Sequence, residues 1–230
     1  ALDNTRRILP HHGYLNTMAI LRMAKRWVKS PKTLLIAGVS AGGFGVSLMA
    51  EDVIGEFSDC GNITCVVDGS LLLKEDWGRV AKEVWQSPEH IWKRLTGSNI
   101  TLDSLTALYS KFGDKVKYLF TSSTRDALLV SCQNALDGKG LTHDIASGLR
   151  FQSNLKVMCD QLIERIPNVG LYIFESPIGD EDYQRSNLTK HCVLDSPHMF
   201  DHREEGKTPC EWIVNAIEGQ VERIGLDLLK

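Results

Sequence analysis

The sequence predicts an α/β fold, with a mainly parallel sheet and helices on both of its faces. Apolar runs of strand type alternate along the whole chain with segments of helical spacing, which is the pattern of such a sheet. The 230 residues are 43% hydrophobic and 24% charged, as in ordinary globular proteins. We therefore expect one domain over residues 1–230 with a substantial core.

The predicted elements follow one another in a regular order. Apolar runs predict four strands, at residues 33–37, 63–67, 116–121 and 169–175. Apolar periodicity and helix-ending residues predict helices at residues 14–28, 43–53, from 127 onwards, 144–166, 210–218 and 220–229. No internal repeat or low-complexity linker interrupts this alternation.

Residues 71–114 are predicted to form a helical, tryptophan-containing insertion or cap. Trp77, Trp85 and Trp92 recur every seven or eight residues, which places them on one helical face. Such a face indicates either core packing or a platform for a carbohydrate or lipid.

Residues 34–45, LLIAGVSAGGFG, are the most informative stretch. An apolar strand ends at Gly38, presents Ser40 and continues into a helix. The sequence G-V-S-A-G matches a nucleophile elbow, in which a serine in a strained backbone conformation is flanked by small residues. Gly38 and Gly42 meet that need, and Gly43 begins the predicted helix. The alternative is an ordinary turn whose serine only caps the helix.

The helix after this turn is predicted to stabilise negative charge on a reacting oxygen. Its first N–H groups point at the position where charge develops during acyl transfer. The N–H of Ala41 is the predicted first oxyanion donor.

A catalytic serine needs a base to accept its proton and an acid to orient that base. After an elbow serine, the acid and the histidine are expected in that order, each in a loop that follows a later strand. Asp126 lies just past the strand that ends at Thr121, and His191 follows the strand that ends near Glu175. We therefore predict a triad of Ser40, Asp126 and His191.

Other acidic and histidine residues fit these roles less well. Asp68 also ends a strand, but one strand too early for the usual acid, so a structural or substrate-facing role is expected. Four of the remaining candidates are expected to be solvated, namely Asp180, Asp182, His198 and His202. The fifth, His143, precedes a predicted helix.

The charge of the chain excludes several classes of partner. A formal net charge of −3 and a pI near 6.2 give no electrostatic reason to expect nucleic acid or an anionic membrane. No apolar run approaches the roughly 18 residues of a membrane span. The cysteines lack the C-x-x-C spacing of a zinc site, so we predict neither a metal nor another cofactor.

Six cysteines and three Asn-X-Thr triplets, at Asn62, Asn99 and Asn187, favour a secreted or extracytoplasmic setting. The local candidates for disulfides are Cys60 with Cys65 and Cys192 with Cys210. Buried free thiols are the alternative.

Several motifs together resemble the pectin acetylesterase and Notum-like family of serine carboxylesterases. They are HHGYLN at 11–16, GVSAGGFG at 38–45, VDGS at 67–70, SSTRD at 122–126, KHC at 190–192 and Glu211-Trp212. The resemblance implies an α/β-hydrolase fold and hydrolysis of O-acyl esters, with the triad on Ser40, Asp126 and His191.

One departure from that family concerns the second oxyanion donor. The family takes it from a glycine-rich segment on an earlier strand, and only 39 residues precede Ser40 here. We therefore expect that the first strands of the fold are missing, and that either a separate N-terminal segment completes the sheet or catalysis is impaired.

The sequence thus predicts a serine carboxylesterase acting on O-acyl esters, in particular O-acetyl groups of carbohydrate. Two alternatives stay open. The first is a non-catalytic hydrolase-like module that binds a glycan or a protein partner. The second is a serine peptidase or lipase of the same fold.

Overall fold

The computed structural model describes residues 11–176 and 179–230, and these contain one parallel sheet of five strands. The strands lie side by side in chain order, so each crossover ends beside the strand before it. They are β1 Leu34–Val39, β2 Ile63–Asp68, β3 Val116–Ser123, β4 Val169–Phe174 and β5 Arg223–Ile224. The predicted parallel α/β fold is confirmed.

Helices connect these strands. The described residues contain six α-helices of nine residues or more: α1 Gly13–Trp27, α2 Ala41–Glu56, α3 Ile100–Phe112, α4 Ala127–Leu136, α5 Ile145–Arg165 and α6 Pro209–Ile217. Shorter helical segments lie at Trp77–Arg79, Val80–Val84, Glu89–Trp92, Gly113–Lys115, Glu181–Arg185, His198–Asp201 and Leu226–Leu229.

Helices cover both faces of the sheet, as the continuous apolar character of its central strands predicts. On one face, Ala50 of α2, Leu105 of α3 and Leu155 of α5 join one hydrophobic core with β2, β3 and β4. On the other face, Trp212 of α6 joins a second core that includes Tyr172 of β4.

Capping side chains determine where α5 and α6 begin. Asp144 accepts a hydrogen bond from the Ser147 N–H, and the Ser147 hydroxyl in turn accepts one from the Asp144 N–H. Thr208 and Glu211 form the same reciprocal pair before α6. Such capping boxes satisfy N–H groups that the helix itself leaves free.

The predicted C-terminal helix at 220–229 is wrong. Arg223–Ile224 instead pairs with β4, and only Leu226–Leu229 forms a single 3₁₀ turn. Gly225 adopts φ +76° against the carbonyl of Ile173, where a Cβ would overlap that carbonyl. A left-handed glycine breaks a helix, and the open edge of β4 offers strand pairing in its place.

The insertion at 71–114 is helical in pieces rather than as one helix. The rings of Trp77 and Trp85 stack with centroids 5.8 Å apart. They belong to a small separate core that packs against Phe44 and Leu48 of α2. For these two tryptophans, core packing is therefore the observed role.

The predicted disulfides are not formed in the structure. All six cysteines lie within the described ranges, and all are free thiols. The Cys60 thiol donates to the Asn62 carbonyl over 3.4 Å, and Cys192 packs beside His191.

The asparagine of the Asn-X-Thr triplet at Asn99 is buried and has a structural role. Asn99 is only 6% exposed, and its side chain caps α3 by accepting from the Leu102 N–H over 3.1 Å. The extracytoplasmic setting stays a prediction.

Strand β1 has an open edge. Among the described residues it pairs only with β2, and Leu35 is 46% exposed. Helix α1 buries Met18 but leaves a row of large apolar side chains exposed, namely Leu15, Ile20, Met23 and Trp27. Over the described ranges, no helix is both long and apolar enough to cross a membrane.

Candidate active site

Ser40 occupies the turn between β1 and α2 in a strained backbone conformation. Its φ of 54° and ψ of −120° lie in a region that residues other than glycine rarely adopt. The Ser40 N–H donates to the Asp68 carbonyl over 2.8 Å, and the Ser70 hydroxyl donates to the Ser40 carbonyl over 2.8 Å. The strand, turn and helix that a nucleophile elbow requires are all present.

Two of the three predicted glycines are required by close packing of the turn. A Cβ on Gly38 would overlap the Gly42 carbonyl, and one on Gly43 would overlap the Ser70 hydroxyl and come within 2.9 Å of the Asp68 carbonyl. A Cβ on Gly42 would meet nothing within 4 Å. The prediction that position 42 must lack a side chain is therefore wrong. Close packing imposes that requirement on Gly43 instead.

The N-terminus of α2 offers a free donor next to Ser40. Ala41 is the first helical residue. The N–H groups of Gly43 and Phe44 both donate to the Ser40 carbonyl, whereas the Ala41 N–H has no acceptor within the described ranges. A free N–H at the positive end of a helix dipole can stabilise an oxyanion.

Asp126 and His191 form a hydrogen-bonded pair. Asp126 Oδ2 lies 2.6 Å from His191 Nδ1, so Nδ1–H donates because a carboxylate can only accept. Asp126 Oδ1 accepts from the Leu129 N–H over 2.9 Å and caps α4. The carboxyl is completely buried, whereas 18% of the imidazole is exposed. This tautomer leaves Nε2 without a hydrogen, so that it can accept a proton.

Burial and pairing shift the pKa of both partners. Burial raises the pKa of Asp126, and its bond to His191 only partly offsets this effect. Burial lowers the pKa of His191, but the hydrogen bond and the charge of Asp126 outweigh it and raise that pKa above its ordinary value. The pair therefore favours a protonated imidazole once a proton is transferred to it.

Thr189 joins the loops that carry these two residues. Its N–H donates to the Arg125 carbonyl over 2.9 Å, and its carbonyl accepts from the Ala127 N–H over 3.0 Å. Its hydroxyl accepts from the Arg125 N–H over 3.0 Å. The histidine loop after β4 is thus paired directly to the acid loop after β3.

The imidazole of His191 lies beside the turn that holds Ser40. A Cβ on Gly69 would come within 3.1 Å of His191 Cε1, and Gly69 directly follows Asp68, which binds the Ser40 N–H. Cys192 Sγ lies 3.3 Å from His191 Nε2. Within the described ranges, Ser40 Oγ and His191 are not hydrogen-bonded to each other. Serine–base contacts are often long without substrate.

Apart from its position next to His191, no feature of the sequence indicates a role for Cys192. Its backbone adopts φ 55°, which no residue pattern indicates. Burial is the main cause that raises the pKa of its thiol. The thiol is therefore protonated and unreactive at neutral pH.

The rival residues have partners away from this pair. Asp180 caps the short helix Glu181–Arg185. The histidines each lie against a local acid: His143 with Asp182, His198 with Asp201 and His202 with Glu204. No contact brings these five residues to Ser40 within the described ranges; of the rivals, Asp68 alone contacts the Ser40 turn there. The described residues hold no group of three or more His, Cys, Asp or Glu side chains arranged for a metal ion.

No protein-family model matches this sequence, and no curated protein matches it either.

Proposed function

We propose that this protein is a serine carboxylesterase that hydrolyses O-acyl esters, O-acetyl groups on carbohydrate in particular. One observation carries the proposal. A strained serine at a strand–helix turn lies at the same sheet edge as a buried carboxylate bonded to a histidine. This combination is the constellation that makes a hydroxyl nucleophilic.

The proposed reaction proceeds through an acyl-enzyme. Ser40 Oγ attacks the ester carbonyl carbon while His191 Nε2 takes the hydroxyl proton, and Asp126 stabilises the imidazolium. The Ala41 N–H donates to the oxyanion of the tetrahedral intermediate. The intermediate collapses as His191 returns the proton to the departing alcohol oxygen. A water molecule, deprotonated by His191, then attacks the acyl carbon. The bond from that carbon to Ser40 Oγ breaks as His191 returns the proton to Oγ, and the acyl group leaves as a carboxylic acid.

The reaction requires one rearrangement. His191 Nε2 contacts Cys192 Sγ in this structure, so it must exchange that contact for one with Ser40 Oγ when substrate binds. Nε2 is the atom that the Asp126 bond leaves unprotonated, so the proton acceptor is already in the correct tautomer.

The proposal includes a separate N-terminal segment that pairs with β1 and supplies a second oxyanion donor. The edge of β1 that no other described residue pairs with, the exposed Leu35 and the exposed apolar row of α1 support it, because such an edge is normally covered or paired. Absence of one donor costs about 10²- to 10³-fold in rate. The mass of the native protein under non-denaturing conditions, which retain a bound segment, tests this part, and a mass equal to the 25.7 kDa of these 230 residues would contradict it.

A serine-directed fluorophosphonate and a nitrophenyl acetate assay test the esterase proposal. Ser40→Ala should abolish both labelling and turnover and leave the thermal unfolding midpoint in place. Ser153→Ala is the matched control, because Ser153 is exposed on α5 and bonds only to the Leu149 carbonyl. Retained turnover in Ser40→Ala would show that the assignment is wrong.

Substrate profiling separates this proposal from its alternatives. Activity that falls steeply with acyl-chain length and is absent on amides supports the O-acetyl ester assignment. A preference for long acyl chains or for amides would indicate a lipase or a peptidase. Glycan binding without any labelling of Ser40 would indicate the non-catalytic module.

A further inference from the structure

Asp68 is a buried carboxyl that the proposed reaction does not use. It ends β2, and its residue is completely buried. Burial is the main cause that raises its pKa to about 6. Burying a carboxylate costs free energy of folding unless the carboxylate is paired and hydrogen-bonded.

The contacts of Asp68 join the two loops of the site. Its backbone carbonyl accepts from the Ser40 N–H over 2.8 Å. Its side-chain Oδ2 accepts from the N–H groups of Val193 and Leu194 over 2.8 and 2.9 Å. Those two residues follow His191 and Cys192 directly. One residue therefore bonds both the turn that carries the nucleophile and the loop that carries the base.

Few other contacts could hold the His191 loop in place if the bonds to Asp68 were lost. Besides the bonds to Asp68, the histidine loop is held upstream of His191 by Thr189 and by the Lys190 N–H, which donates to the Ser176 carbonyl over 2.9 Å. Bonds from two backbone N–H groups to one carboxylate oxygen are charge-assisted and stronger than bonds between neutral groups. Removing them would leave the N–H of buried Val193 and that of partly buried Leu194 without this acceptor.

We infer that Asp68 is a positioning residue, which holds the His191 loop against the Ser40 turn and adds a second negative charge near the imidazole. The inference rests on the proposed function for its kinetic consequences, but its structural consequence can be measured without a substrate.

Three carboxylates act on the charge of His191. Asp126 bonds it directly, and Asp68 and Asp195 act through their charge alone, each raising the pKa of the imidazole. Cys192 is its other close neighbour. Because a neutral imidazole is the active base, removal of the Asp68 charge should move the acid limb of the pH–rate profile to lower pH.

Two variants divide the roles of Asp68. Asp68→Asn keeps an oxygen for the Val193 and Leu194 N–H groups and removes the charge, so the acid limb should move to lower pH. Asp68→Ala removes both acceptor and charge, so kcat for nitrophenyl acetate should fall by about 10²-fold, with KM nearly unchanged. Thr64→Val is the matched control, because Thr64 is equally buried on the same strand and its hydroxyl has no partner within the described ranges.

Proton NMR of the His191 Nδ1–H provides the readout that is independent of activity. In the wild type its signal should lie far downfield and be protected from exchange. Asp68→Ala should shift and broaden it, whereas Thr64→Val should leave it unchanged. An unchanged signal in Asp68→Ala, or a kcat within threefold of the wild type, would overturn the inference. If the wild type hydrolyses no ester, the proposed function fails, and the NMR comparison still decides whether Asp68 positions the loop.

Discussion

The 2.6 Å contact between Asp126 and His191 is the single bond on which the proposed reaction depends most. It fixes the tautomer in which Nε2 has no proton. An amide at position 126 can donate to Nδ1 and so leave the proton on Nε2, where it blocks acceptance of a proton from Ser40.

We therefore expect Asp126→Asn to lower kcat for nitrophenyl acetate by about 10⁴-fold, with little change in KM. Asp160→Asn is the control, since Asp160 is exposed on α5 and pairs with Lys156. Steady-state kinetics of the two variants check this expectation. A loss below tenfold would assign the acid role to another residue.

A second expectation at this scale compares two adjacent glycines. Gly43→Ala should lower both the unfolding midpoint and the labelling rate, because its Cβ would overlap the Ser70 hydroxyl that bonds the Ser40 carbonyl. Gly42→Ala should be neutral or slightly stabilising, because the added methyl meets open space and alanine favours helices. Equal effects of the two substitutions would contradict this account of the turn.

At the scale of elements, the position of each functional residue follows from where a strand ends. Ser40 and Asp126 follow the carboxyl ends of β1 and β3, and Asp68 is the last residue of β2, the parallel strand between them. These ends meet at one edge of the sheet, which is where ligands bind in open α/β folds. The order of the strands in the sheet thus brings distant parts of the chain together.

Helix α6 depends on its cap. Thr208→Ala removes the hydroxyl that accepts from the Glu211 N–H, and we expect a loss of about 1 kcal/mol in the free energy of unfolding. Thr208→Ser keeps the hydroxyl and should lose much less. Urea denaturation of both variants measures the difference, and equal losses would show that the cap is not the cause.

At the scale of the whole molecule, buried ionisable groups link stability to pH. Burial raises the pKa of Asp68 to about 6 and also raises that of Asp126, so the folded protein holds these protons more tightly than the unfolded chain does. Their contribution to stability is present at low pH and is lost as the pH rises through the folded pKa. The raised pKa of His191 acts in the same direction.

Asp68→Asn tests this linkage. Relative to the wild type, its free energy of unfolding should rise between pH 4 and pH 7, by about 2 kcal/mol for a pKa near 6. Urea denaturation across that range measures the change. A difference that stays constant with pH would mean that the Asp68 carboxyl titrates normally. Together with a shifted pH–rate profile, a rise would show that the protein keeps Asp68 at a cost in stability.

Local patterns in the sequence were sufficient for the fold class, for four of the strands and for the pairing of Asp126 with His191. These features depend on periodicity, on strand ends and on one short motif, all of which can be read within a few neighbouring residues. The C-terminal strand was missed because β5 is only two residues long. It forms through pairing with β4, and its own residues carry no strand signal.

The sequence by itself determined that a serine follows a strand, and that an acid and a histidine follow later strands in the required order. Only the tertiary structure decided that Gly43 rather than Gly42 must lack a side chain, and that Asp68 bonds Val193, 125 positions away. The physical reason is that steric overlap and hydrogen bonding depend on distance in space. No pattern of neighbouring residues specifies which atoms meet when the strands are placed side by side.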